Sequence, residues 1–370
     1  MKHNTRANKI IRTSIVGIVA NVLLATFKAV VGILANSVAI IMDAVNNLSD
    51  ALSSVITIIG AKLSTRPADR EHPFGYGRIE YFSAIIIAII VLSAGITSLI
   101  ESVKKIFNPT EPSYTTTTLI VIVVAIVVKI ILGLYVKRQG KNLKSDALIA
   151  SGSDALFDAI VTLSTLVSAG IMLIWNVSID GILGALISIV IIKAGVEMLV
   201  SPVNELLGAR VSQELIHGIK QEVKEFDGVK GVFDIILHNY GPDVLIGSLH
   251  INVIDTMTAN EIHGLTLRIS QQLFERHGII ATIGVYSIAT GTGKRSELQN
   301  TVIQCLSKHK ELVQIHGFYY FENEHKLSVD IVPDISINND EALQTQLTDE
   351  LKQIIPDEEI TIVIDHNYSE

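Results

Sequence analysis

Asn46 and Asp50 lie four residues apart in one apolar segment, and Asp154 and Asp158 lie four apart in another. A carboxylate in a bilayer core costs roughly a few kcal/mol, so such residues face a partner, an ion or water. Spacing of four puts both members of each pair on one helix face. If the two helices face each other, four hard oxygen donors converge on a cation. The plain alternative, a helix-to-helix hydrogen bond, suits one intramembrane Asp better than two such pairs. Asp43 lies seven residues before Asp50 on nearly the same face, as either an approach position for the ion or a capping and bonding partner.

Histidine and cysteine usage narrows the metal. Of 11 His, only His3 and His72 precede Ala209, and neither is in an apolar segment. Cys305 is the single cysteine, which excludes internal disulfides and a Cys-rich metal site. The membrane site therefore has neither imidazole nor thiolate. Carboxylate and amide oxygens suit Mg²⁺, Ca²⁺ or Mn²⁺ better than Zn²⁺. Three carboxylates around a divalent ion leave one formal negative charge. Without metal they repel one another, so protons can take its place, a physical route to metal/proton antiport.

The elements that must position these groups are apolar helices. The 370-residue chain has a mean hydropathy of +0.45, concentrated in its first 200 or so residues. Six stretches reach the roughly 20 residues needed to cross a bilayer: 12–34, 37–61, 80–103, 117–137, 147–175 and 179–200. The first is too long for a signal peptide and is followed by further spans. Lys28 and Lys193 lie within spans and can snorkel or pair. Basic residues cluster at Lys2, Arg6, Lys9 and Arg12, at Lys62, Arg66, Arg70 and Arg78, and at Lys137, Arg138, Lys141 and Lys144. Six spans put these clusters on one side, the cytoplasm, together with both termini. Lys104 and Lys105 dissent on the opposite side.

Charge divides the chain. The net −8 is made of +4 up to Ala209 and −12 from Arg210 onward. An acidic tail of mixed polarity reads as a soluble domain and gives no support to nucleic-acid binding. Its pattern predicts helix 212–227, strands 231–239 and 245–254, helix 258–277 and strand 280–288. This suits a small open sheet with helices on one face. Gly291 and Gly293, in GTGK, form a linker. The same order then recurs: helix 296–309, strands 313–322 and 326–333, helix 339–355, strand 359–366. A repeated module is the reading, and one longer domain is the alternative.

Three stretches carry a family resemblance: RPADREHPFGYGRIEY at 66–81, NSVAIIMDAVNNLSDALSS at 36–54 and SDALIASGSDALFDAIVTL at 145–163. Over about residues 10–290 the chain resembles the cation diffusion facilitators. The resemblance implies a six-helix membrane domain over 1–208 and a cytoplasmic α+β ferredoxin-like domain over 209–290; the recurring order of helices and strands, beyond the resemblance, predicts a second such module over 295–370. It also implies a homodimer in the plasma membrane that exports divalent metal in exchange for protons by alternating access, with no cofactor. The family's transport site falls on Asn46, Asp50, Asp154 and Asp158. Zinc-handling members typically have His at the position of Asp154, so the set resembles the manganese-exporting branch. Export of Zn²⁺ or Fe²⁺ is the nearest rival, and a membrane-anchored metal sensor is the rival of another class. No GxxxxGK[ST] motif indicates ATP.

Further sites carry over in part. A loop site would use Asp69 and His72 beside Tyr76; the alternative is that they bond loop backbone around Gly75 and Gly77. In the first tail module His250 and His263 match two metal ligands, while the ligands expected near Gly284 are absent. By internal alignment His316, Asp330 and Asp365 fall on the equivalent strand positions of the second module, with His366 adjacent. The family's charged interlock would pair Arg78 with an acid, but Gly208 stands there and Glu205 is the nearest substitute.

Overall fold

The computed structural model describes residues 2–34, 38–107, 116–175, 180–241, 244–337 and 339–366. They form two compact units, one of residues 1–209 with 240–243, the other of 210–239 with 244–370.

The first unit contains six long helices: α1 (Lys2–Leu34), α2 (Val38–Ser64), α3 (Ile79–Phe107), α4 (Thr116–Asn142), α5 (Asp146–Trp175) and α6 (Asp180–Leu207). Over the described residues, five of them are long and apolar enough to cross a membrane: α1, α3, α4, α5 and α6. The helices outrun their apolar stretches. Helix α1 begins at Lys2 instead of 12, and α4 continues through its basic end to Asn142 instead of stopping at 137. Hydropathy marks only the part that lipid must cover, whereas Lys and Arg are good helix formers and prolong the same hydrogen-bonded rod into polar surroundings.

Packing in this unit pairs α1 with α2, α3 with α6 and α4 with α5. Small residues allow the close approach that lipid-embedded helices need. At Gly152 of α5 a Cβ would lie 2.5 Å from the Lys137 backbone nitrogen, and at Gly140 of α4 one would lie 2.7 Å from that of Ile149. The two backbones are therefore in contact, which brings the polar groups of α4 and α5 within reach of each other. Near the helix ends the Arg6 guanidinium donates to both carboxylate oxygens of Glu80, at 2.7 and 2.9 Å. It also donates to the carbonyls of Leu143 and Lys144. One side chain so joins α1, α3 and the α4–α5 turn.

The second unit holds two three-stranded sheets. The first follows α7 (Gln213–Lys224) and has order β1 (Gly231–Asn239), β2 (Leu245–Ile254), β3 (Ile279–Ile288), with α8 (Ala259–His277) between β2 and β3. The second follows α9 (Lys294–Leu306) and has order β4 (Leu312–Phe321), β5 (Lys326–Pro333), β6 (Glu359–Ile364), with α10 (Asp340–Ile354) between β5 and β6. In both, the first pair is antiparallel and the second parallel. Each sheet has its own apolar core, with Ile216, Ile251 and Ile269 in the first and Val302, Leu327 and Leu347 in the second. Helix α8 is sharply bounded: Thr258 and Glu261 make a reciprocal capping box, and Gly278 closes the helix at φ 70°.

Both first strands carry an irregularity at the corresponding place. Strand β1 bulges between Phe233 and Ile236, where Asp234 takes φ 52°. Strand β4 bulges between His316 and Tyr319, where Gly317 takes φ 64°. A Cβ at Gly317 would stand 2.1 Å from an Asp330 carboxylate oxygen, so that turn requires glycine. Bulges re-aim side chains, and these two bend β1 and β4 beside the same cluster of polar groups.

Candidate functional site

The intramembrane carboxylates are held from three helices. Asp50 lies at the middle of α2 and Asp158 on α5. Between them reaches Lys129, from the middle of α4. Its ammonium donates to Asp158 Oδ2 at 2.7 Å and also to Asp50 Oδ2. Lys129 is 4% exposed. Burial this complete strips the ammonium of water, and the two carboxylates replace its hydration. Asp154, one turn before Asp158, and Asp50 line a small cavity with Gly17 and Asn21 of α1, Ser54 of α2, and Ser151 and Ala155 of α5. Among the described residues no hydrogen bond engages the Asp154 carboxylate. The cavity wall is thus two carboxylates with amide and hydroxyl oxygens, a set that suits a hard cation.

Asn46 and Asp43 belong to α2, and their side chains lie outside the described residues. Lys28 is buried in α1, and Lys193 of α6 pairs along its own helix with Glu197 at 3.9 Å. Lys129 is the functional residue that sequence reasoning missed. Its signal was present: a lone ammonium in the middle of the LIVIVVAIVVKIILGLYV run is as costly as the aspartates that drew notice.

In the loop after α2, Asp69 is engaged by its own turn. Its carboxylate accepts from the backbone N–H groups of Glu71 and His72 and from the Tyr76 hydroxyl, the last at 2.7 Å. The Tyr76 hydrogen bond, followed by that from the His72 amide, holds this carboxyl below the usual carboxylate range. His72 Nδ1 lies 3.6 Å from Asp69 Oδ1, and its ring packs against Tyr76. These contacts stabilise the turn whether or not an ion joins them.

The tail brings residues of both sheets together. Asp234 of β1 has Oδ2 3.0 Å from His250 Nδ1 and 2.8 Å from the Tyr286 hydroxyl, and Oδ1 2.9 Å from His316 Nε2. Burial alone would raise the Asp234 carboxyl. The His250, His316 and Tyr286 contacts outweigh it and hold the group far below the usual carboxylate range. Asp330 on β5 lies beside this cluster, its Oδ2 3.4 Å from the Tyr286 hydroxyl, and burial pushes its carboxyl up. One ligand atom each from Asp234, His316 and Asp365 lies within 4.8 Å of the others. His316 and Asp365 thus meet a partner from the first sheet, Asp234, which sequence reasoning passed over. His263 is exposed on α8 and stands outside that group, and His366 is taken by Asp340 of α10 at 2.9 Å. Over Gly284, where a ligand side chain is missing, the His250 ring fills the space: a Cβ there would lie 2.1 Å from it.

Known proteins match both units of this chain in sequence. The sequence profile of the cation efflux transmembrane domain matches residues 14–207, and that of the cytoplasmic domain of cation efflux proteins matches 211–285. The second match ends before α9. Among similar proteins, the manganese efflux system protein MneS of Bacillus subtilis is 28% identical over 273 residues, covering 72% of this chain and 91% of its own. MneP of the same organism is 26% identical over 270 residues, covering 71% and 90%. An uncharacterized transporter of Methanocaldococcus jannaschii is 28% identical over 259 residues, covering 70% and 91%. MneS and MneP are manganese efflux proteins, and cation efflux proteins are transporters, not enzymes. The transmembrane match alone spans more than half of the 370 residues, and the chain belongs to the cation efflux family, the cation diffusion facilitators.

Proposed function

We propose that this protein exports Mn²⁺ from the cytoplasm across the plasma membrane in exchange for protons, as a homodimer working by alternating access. The observation that carries the reading is the charge set at and beside the cavity: Asp50 and Asp154 line it, and the buried Lys129 ammonium donates to Asp50 and to Asp158. Less that ammonium, the three carboxylates leave two formal negative charges. One divalent cation or two protons neutralise them, which is what metal/proton exchange requires of a desolvated site. Lys129 competes with the ion for Asp50 and Asp158. Arriving metal takes Asp50 and Asp158 from it, while the nearby ammonium still offsets the third carboxylate. Asn46 completes the ligand set with an amide oxygen.

The absence of imidazole from the cavity lining supports manganese over zinc, as do the manganese efflux relatives. The basic clusters at Lys2–Arg12, at 62–78 and at 137–144 support six spans, α2 included, with both termini in the cytoplasm. The repeated helix and strand order of the tail supports two ferredoxin-like modules in tandem, over 209–290 and 295–370.

The test is flux of Mn²⁺, Zn²⁺ and Fe²⁺ in proteoliposomes under an imposed proton gradient. Mn²⁺ flux should exceed the others and collapse with the gradient; dominant Zn²⁺ or Fe²⁺ flux overturns the manganese assignment. Asp154→His should shift the preference toward Zn²⁺ by about tenfold, since an imidazole replaces a hard oxygen.

A further inference from the structure

The two sheets of the tail meet as the halves of a symmetric dimer do, yet they belong to one chain. Their pairing registers align them position by position. In the first sheet Phe233 pairs with His250, and a bulge follows Phe233. In the second His316 pairs with Asp330, and a bulge follows His316. Phe233 therefore corresponds to His316, and His250 to Asp330. His250 pairs onward with Gly284 and Asp330 with Val363, so two residues later Tyr286 corresponds to Asp365.

A two-fold axis leaves two signatures: equivalent residues meet on it, and contacts away from it recur with their halves exchanged. Both are present. Phe233 and His316, which are equivalent, stack with ring centroids 4.9 Å apart and planes 16° apart. Away from that stack, β1 of the first sheet reaches past the end of β6, where a carboxylate oxygen of Asp234 lies within 4.8 Å of one of Asp365. In exchange, β4 of the second sheet reaches β3, where the His316 ring centroid lies 5.7 Å from that of Tyr286. His316 is 4% exposed, covered by Phe233, Asp234 and Tyr286 of the first sheet. Arg295 of α9 fastens the pair by donating to Ser287 of β3. Residues 289–293 alone separate β3 from α9. So short a tether holds the second sheet at an effective concentration on the order of mM.

A face used in two-fold packing is self-complementary. With a second copy of the first sheet in place of the second sheet, Phe233 would meet Phe233. Asp234 would meet the Tyr286 hydroxyl, a donor for its carboxylate. The match to the cytoplasmic domain of cation efflux proteins ends at residue 285, so the second sheet lies wholly beyond it. We propose that the second sheet fills, within its own chain, the face through which two first sheets would pair, so that the tails of a homodimer do not join there. Each tail is then a closed unit, and contacts between chains fall to other surfaces. The inference goes beyond the homodimer reading and holds equally for a single chain.

The test is thiol cross-linking of the full chain in proteoliposomes with a short bismaleimide. Cys305 is buried, so the unmodified chain serves as the blank. Phe233→Cys together with His316→Cys should give a link within one chain, mapped by mass spectrometry to peptides of β1 and β4. Phe233→Cys alone should give little product of two chains. Opening the clasp should raise that two-chain product by about tenfold or more, because the tethered competitor is gone. Two openings are compared, each carrying Phe233→Cys. One is a chain ending at residue 290, whose first sheet keeps its own apolar core. The other is the full chain with His316→Glu, which sets a carboxylate against Asp234 and Asp365. Abundant two-chain product from Phe233→Cys alone overturns the proposal, as does a double variant linked only between chains. Failure of both openings to raise the two-chain product overturns it as well. Light scattering in detergent counts chains separately: a single chain there overturns the homodimer reading and leaves the β1–β4 link to decide this one.

Discussion

At the scale of single residues, Lys129 changes the chemistry that the aspartates alone suggest. Three carboxylates and a divalent ion leave a negative charge in a place that disfavours any net charge. The ammonium donating to Asp50 and Asp158 removes it. Removing the ammonium should tighten metal binding and spoil the exchange. Lys129→Gln should bind Mn²⁺ about tenfold or more tightly, because the ion no longer competes with a tethered cation. Its turnover in proteoliposomes should fall, since a third charge must now be neutralised on the return. Calorimetry beside flux measures both, and weaker binding in Lys129→Gln would show that the lysine serves only to hold the helices. The aspartates were legible as a candidate site because spacing of four and the cost of burial are both written in the sequence. The lysine carried the same cost, but its partners are 79 and 29 positions away, and no spacing rule links them.

At the scale of elements, the helices and strands are nearly all visible in hydrophobic periodicity. Their ends are set by caps such as Thr258 and Gly278 and by polar extensions such as the end of α4. One side chain contact between elements gives a pH-dependent prediction. Glu222 of α7 meets His277 at 2.8 Å and Arg276 at 3.2 Å, both at the end of α8. Burial pushes its carboxyl up, but the His277 and Gln272 hydrogen bonds outweigh burial and hold it below the usual range. A carboxyl lowered in the folded state stabilises fully above its unfolded value of about 4.3, and loses that contribution as pH falls through the folded value. Glu222→Gln should therefore loosen the α7–α8 contact by about 0.5–1 kcal/mol at neutral pH, a figure kept small by solvent screening. The difference from the unmodified protein should close below about pH 4. Hydrogen exchange of the α7 amides, corrected for intrinsic rates at each pH, measures it; a gap that stays constant with pH would assign the effect to packing.

At the scale of the whole molecule, the charge asymmetry noted in the sequence coincides with the division into two compact units at Ala209 and Arg210. The single thiol makes the second unit easy to follow. Cys305 is 2% exposed in the core of the second sheet, and its thiol donates to Glu350 at 3.3 Å. Burial, aided by Glu350, pushes the thiol up to about 11, so thiolate is scarce at neutral pH. A maleimide should leave the native protein unlabelled over times in which the denatured chain reacts fully. Prompt labelling of native protein would contradict a closed core around α9.

The sequence by itself determined which stretches are long apolar helices, that the tail repeats one order of helices and strands, and that hard oxygens recur four residues apart on α2 and on α5. Periodicity dictates these because each depends on residues close together in the chain. Only the tertiary structure decided which polar groups meet. It placed Lys129 between two aspartates, and it brought Asp234 of the first sheet to His316 and Asp365 of the second. Such meetings follow from helix contact at glycines and from bulges that turn strands. Both are consequences of packing between distant segments, which no local pattern encodes.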